Sequence, residues 1–127
     1  MLFEKFLGLI SRFVPGGPLL RMQEKVAELN PEKIYIENVR HLLDVSAPSA
    51  ERICETAVRQ GVFDRGVEVL DPDGNVVLAV VKPDILPTTV NVWVEESGNL
   101  EQVERMTTAL KHRTFYRLHD QSETRLA

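Results

Sequence analysis

The chain has 127 residues, 43% of them hydrophobic and 27% charged, with a formal net charge of −4. A chain of this size buries about two-thirds of its unfolded surface, which excludes disorder as the main state. The single cysteine, Cys54, excludes a disulfide scaffold, no apolar run approaches the roughly 20 residues of a spanning helix, and the net acidity offers no global attraction to nucleic acid or anionic membrane.

The first segment reads as an amphipathic helix. Phe3, Phe6, Leu7, Ile10, Phe13 and Val14 recur at spacings of three and four, so they share one face. Pro15-Gly16-Gly17-Pro18 breaks the chain, and residues 1–17 form an N-terminal arm. Three placements suit its aromatic stripe: core of the same chain, a partner or homodimer interface of the helix-in-groove kind, or a membrane surface. The last wants a lysine-rich polar face, and only Lys5 and Arg12 are present. As a secretory leader the segment lacks the marks, because Glu4 sits where positive charge is wanted and Arg12 interrupts the apolar run. Together with the lone cysteine this leads us to expect a cytoplasmic protein.

A second helix is expected from Pro18 to Leu29, with Leu19, Met22, Val26 and Leu29 inward and Asn30-Pro31 ending it. Ile34 to Ile36 reads as a short strand, and Glu37 to Asp44 as a helix with Val39, Leu42 and Leu43 inward. After a turn at Val45-Ser46-Ala47, a further helix runs from Pro48 to Gln60, with Ala50, Ile53, Cys54, Ala57 and Val58 as its stripe and Gly61 closing it. Two β-rich runs follow, Gly66 to Leu70 and Val76 to Val81, joined by Asp71-Pro72-Asp73-Gly74-Asn75, whose residue types supply hairpin-turn dihedrals. The acidic turn lacks the later bidentate acid of a calcium loop.

Residues 82–87 read as a stiff linker. Thr88 to Val94 then alternates as a strand, with Val90, Val92 and Val94 on one face and Trp93 on the other. Asn99 is placed to cap a helix reaching about His112, with Leu100, Val103, Met106 and Leu110 inward. On that reading Lys111, His112, Arg113 and Arg117 cluster at a helix C-terminus, where cations are favoured. Thr114 to Leu118 is a last strand, and residues 121–127 are a polar tail.

Val45-Ser46-Ala47-Pro48-Ser49-Ala50-Glu51-Arg52-Ile53 resembles the V-S-x-x-T-V-x-R-[LI] start of the recognition helix in winged helix-turn-helix domains, with Ser49 for threonine and Ala50 for valine. Gln60-Gly61-Val62-Phe63 is similar to the family's glycine-plus-apolar exit into the wing. The resemblance covers residues 33–81. It implies a winged helix (short strand, two helices and a β-hairpin wing), in a domain taken as 18–81; the residue pattern beyond it reads as a β-α-β extension over 82–120. The fold class expected for the whole chain is α+β.

In DNA-binding members of that family one helix face enters the major groove. The resemblance puts Ser46, Ser49, Glu51, Arg52, Glu55 and Arg59 on that face, and Arg65 with the 71–75 turn on the wing. Lys and Arg supply most phosphate affinity, yet residues 31–81 carry five basic against nine acidic residues. The acidity sits in the unit that would meet DNA.

No pair of His and Cys has metal-ligand spacing, and there is no phosphate loop, nucleophile elbow or zinc-protease motif. The expectation is a non-enzymatic chain with no metal, no cofactor and no small-molecule substrate. It is read as an interaction module for a protein partner or a homodimer, with Phe3, Phe6, Ile10, Phe13 and Trp93 as partner-binding anchors. A DNA-binding regulator is the alternative.

Overall fold

The computed structural model describes residues 3–13, 19–81, 85–96 and 98–119, with the side chains of 19–22 and 96 outside that description. The class is α+β: among the described residues four helices precede five strands arranged in two antiparallel sheets. The helices are α1 (Glu4–Phe13), α2 (Leu19–Ala27), α3 (Ile36–Leu43) and α4 (Ala47–Arg59). The strands are β1 (Phe63–Leu70), β2 (Val76–Val80), β3 (Thr89–Glu96), β4 (Asn99–Met106) and β5 (Lys111–Leu118). One sheet has the order β2-β1-β5, and β3 and β4 form the other.

The chain divides into two compact units, one of Met1–Asp64 with Tyr116–Ala127 and one of Arg65–Phe115. The division therefore falls inside β1 and β5, not at the 81/82 position expected from the linker. Residues 82–84 of that linker lie outside the described residues, as do the Pro15–Pro18 break and the 121–127 tail.

The first unit is built on helix stripes. Phe6, Leu7, Leu9 and Ile10 of α1, Val26 of α2, Val39 and Leu43 of α3, and Ala50, Ile53, Cys54 and Ala57 of α4 are all buried in one core. Short helices such as these gain most of their stability from burying such a stripe. Phe63 lies at the centre, its ring centroid 4.6 Å from Phe6 and 6.0 Å from Tyr116. Burying each such ring is worth about 1.5–3 kcal/mol.

Local chemistry sets the helix limits. The side chain of Asn38 accepts the Tyr35 N–H at 2.8 Å at the start of α3. Asp44 ends α3 in the left-handed region, φ 53°, a conformation that aspartate tolerates better than most non-glycine residues. Ser46 caps α4, its Oγ accepting the Ser49 N–H at 3.3 Å. At the other end, Val62 N–H donates to the Ala57 carbonyl (2.8 Å) and Gly61 N–H to Val58 (3.1 Å), with Gly61 at φ 73°. This is a Schellman closure, and its left-handed residue is the expected glycine.

The strand expected at Ile34 to Ile36 shrinks to one residue. Ile34 bridges Tyr116, each donating to the other's carbonyl at 2.7 Å. Tyr35 is already the cap of α3, so Ile36 belongs to the helix.

In the second unit the β1–β2 hairpin forms as expected, with Val67 opposite Val80 and Leu70 opposite Val76. Its turn is held by Asp71, whose Oδ1 accepts the Asp73 and Asn75 N–H groups at 2.9 and 2.8 Å. The carboxylate is thereby engaged by the backbone, as in an Asx turn.

The helix expected from Asn99 to His112 does not form. Residues 99–106 are a strand paired with β3 along its whole length, from Thr89 opposite Met106 to Glu96 opposite Asn99. A single 3₁₀ turn over Thr107–Ala109 leads into β5. The extension is thus a hairpin and a strand, not β-α-β. The physical reason is pairing. Val103 of β4 sits opposite the fully buried Val92, and this tertiary contact outweighs the helix preference of Glu101, Gln102 and Glu104.

Candidate interaction site

The α4 surface comes first, since the resemblance places a recognition face there. Arg52 and Glu51 are exposed, and so is Arg59, whose Nη2 donates to Thr56 Oγ1 at 3.0 Å. Ser46 and Ser49 are used by the helix itself: beyond the cap, Ser46 Oγ lies 3.0 Å from Ser49 Oγ. Glu55 is half-buried, and its Oε2 accepts the Tyr116 hydroxyl at 2.6 Å. Of the six residues assigned to this face, then, Glu51, Arg52 and Arg59 are displayed outright, while the two serines and Glu55 have structural bonds of their own. Arg65 is exposed but belongs to the second unit.

The aromatic anchors are corrected by burial. Phe3, Phe6 and Ile10 are 3%, 0% and 0% exposed. The core of the first unit covers them, so they have no surface to offer a partner. Of the arm's anchors only Phe13, at the end of α1, is exposed.

Trp93 is 58% exposed, and its neighbourhood was not foreseen. In a strand, alternate residues share a face. The β3–β4 register puts Trp93, opposite Gln102, on the same face as Leu100 (opposite Glu95) and Met106 (opposite Thr89). Leu100 is 68% exposed and Met106 52%. The opposite face carries Val92 and Val103. Trp93 and Leu100 are diagonal neighbours on the exposed face, and Met106 lies two same-face positions beyond Gln102. Sequence reasoning missed it because Leu100 and Met106 had been assigned to the inward stripe of a helix. The signal available was the Glu-Glu-Ser-Gly-Asn stretch. Gly98, at φ 80°, closes a tight hairpin between Glu96 and Asn99.

The basic residues read as a helix-end cluster lie on β5, and acidic side chains engage two of them. Arg113 Nε donates to Glu68 Oε1 at 2.9 Å and Arg117 Nε to Asp64 Oδ2 at 3.3 Å. His119 Nδ1 lies 3.0 Å from Asp64 Oδ1, and His112 Nε2 lies 2.9 Å from the Thr107 carbonyl. Cys54 is fully buried, and burial first, then the charges of Glu55 and Glu51, push its thiol up to about 12. Such a thiol is inert as a nucleophile.

Among the described residues no three His, Cys, Asp or Glu side chains gather as metal ligands, and no helix is long and apolar enough to cross a membrane. No family model, curated protein or solved structure matches the chain.

Proposed function

We propose that this chain is a non-catalytic protein-interaction module built on a winged helix-turn-helix unit, acting as an adaptor, as a small subunit of an assembly or as a homodimer. The observation that carries the reading is the exposed face of the β3–β4 hairpin, where Leu100 lies diagonal to Trp93 at one end and Met106 stands at the other. Tryptophan on an exposed strand face is a common interface anchor. The order helix, tight turn, helix, hairpin over residues 36–80 supports the winged-helix part. The acidic balance of residues 31–81 favours protein over DNA as the partner. We place the chain in the cytoplasm, a reading supported by its single, buried cysteine.

One observation favours the second reading, a DNA-binding regulator: Arg52 and Arg59 are both exposed and lie seven residues apart on one side of α4. Fluorescence anisotropy of labelled duplex DNA, begun at low salt and stepped upward, separates the two. The module reading expects no binding. Binding that falls steeply with salt would establish phosphate contacts and put the regulator in its place.

A further inference from the structure

We infer that the outer edge of β4 is a docking edge for β4 of a second copy of this chain, paired antiparallel about a two-fold axis at Val103. The inference rests on the interaction-module reading and names its partner.

The β3–β4 sheet has only these strands among the described residues. β4 therefore has β3 on one side and no ladder partner on the other among those residues. The direction of its backbone follows from one bond. Thr107 N–H donates to the Thr88 carbonyl at 2.9 Å, and Thr88 opposite Thr107 continues the Thr89–Met106 register. In an antiparallel ladder hydrogen-bonded and non-bonded pairs alternate. Residues 99, 101, 103, 105 and 107 therefore bond to β3. Leu100, Gln102, Glu104 and Met106 turn their N–H and C=O groups to the outer edge, a row that can template another strand; of these, the Glu104 carbonyl accepts Arg105 Nη1 at 3.4 Å, a long bond that a paired strand would replace.

The side chains along this edge are self-complementary. With the two-fold at Val103, Leu100 faces Met106 of the second copy, Glu101 faces Arg105, Gln102 faces Glu104 and Val103 faces itself. All but Val103, which is half-buried, are exposed. The outward-turned residues fall opposite one another, as the bonding requires. Opposite charges meet twice, once at each end of the symmetric pair. Leu100 of each copy meets Met106 of the other, one apolar pair at each end of the Trp93 face.

The neighbouring registers are worse. Centring on Glu104 sets that carboxylate against its own copy, a destabilising like-charge pair. Centring on Gln102 leaves Glu101 opposite Val103 and loses both ion pairs. Strands that avoid edge pairing carry charge, lysine above all, or proline; β4 has no lysine or proline, and its Glu101 and Arg105 meet opposite charges in this register. Extension to four strands also relieves the marginal stability of a two-stranded sheet. Because the interface is isologous, it closes at the dimer.

The test is sedimentation velocity on the full chain over a wide concentration range, with charge-reversal variants on exposed positions. The wild type is expected to show a monomer–dimer equilibrium. Glu101→Arg and Arg105→Glu each place like charges opposite one another twice, and each should weaken association by roughly tenfold or more. The double variant Glu101→Arg/Arg105→Glu restores opposite charges and should return dimerisation to near the wild-type level. Glu104→Pro removes an outward N–H without touching the bonds to β3 and should abolish the dimer, with circular dichroism checking the fold of every variant. A monomer at all concentrations overturns the inference, as does a dimer indifferent to the single reversals or one that the double variant fails to rescue. Such a failure leaves the module reading standing with a different partner. DNA binding in the anisotropy experiment, a separate readout, overturns the module reading on which this inference rests.

Discussion

The hydroxyl of Tyr116 on β5 donates a 2.6 Å hydrogen bond to Oε2 of Glu55 on α4. The tyrosine is 1% exposed, its ring packs against Phe63, and its backbone bridges Ile34. One residue thus joins helix, aromatic core and strand. A hydrogen bond to a charged acceptor contributes about 1.5–3 kcal/mol. Tyr116→Phe keeps the ring and loses the bond, so urea denaturation should show a loss of about that size. Glu55→Gln retains an acceptor and should cost less. If Tyr116→Phe unfolds at the wild-type midpoint, the bond contributes nothing to stability.

Gly66 is held in place by sterics. A Cβ built there meets the Phe115 ring and comes within 2.9 Å of the Val80 carbonyl oxygen. The clash involves backbone as well as ring, so it cannot be relieved by turning the ring alone. Gly66→Ala should therefore destabilise by about 1–3 kcal/mol, the usual cost of overpacking. A thermal melt reads this directly, and an unchanged midpoint would mean that β1 shifts freely.

Glu68 is 1% exposed, and Arg113 Nε reaches its Oε1 at 2.9 Å. Removing one partner of a buried ion pair weakens the compensation of the charge that stays behind. Arg113→Met should cost roughly 3 kcal/mol, even though about half of the arginine side chain faces solvent. Arg113→Lys keeps the charge but loses the fixed guanidinium geometry and should fall between. Equal stability of all three proteins by urea titration would assign the carboxylate to other partners.

The helices were legible because each carries a stripe and a terminus signal in its own residues. Ser46 and Gly61 bracket α4 by local chemistry alone. The β4 strand was not legible. Leu100, Val103, Met106 and Leu110 satisfy helical spacing, and a strand that is exposed on most of both faces writes no alternation into its sequence. Only its partner, Val92 opposite Val103, decides the matter, and that pairing is not local. The same limit applied to the site. An amphipathic stripe such as Phe3, Phe6 and Ile10 looks alike whether it meets its own core or another chain. The Tyr116–Glu55 bond spans 61 positions and leaves no trace in either neighbourhood. Trp93, by contrast, could be placed by alternation on the face away from Val92, and the strand bears this out.

Cys54 supplies a pH dependence with a definite sign. Burial, aided by the carboxylates of Glu55 and Glu51, raises its thiol from 9.0 to about 12. In the unfolded chain the thiol ionises as pH passes 9.0, while in the native chain it keeps its proton until about 12. Over that interval the native state binds more protons than the unfolded state. The stabilisation is therefore fully present below pH 9.0 and declines as pH rises toward 12, with a slope of about 1.4 kcal/mol per pH unit. Cys54→Ala has no proton to lose. It should be less stable than wild type at neutral pH, because a buried sulfur leaves a small cavity, but it should decline less steeply above pH 9.0. Urea titrations of both proteins on either side of that pH measure the difference. Parallel declines would mean that the native thiol ionises as readily as a free one. A native thiol that reacts with an aromatic disulfide reagent before unfolding would point to the same conclusion.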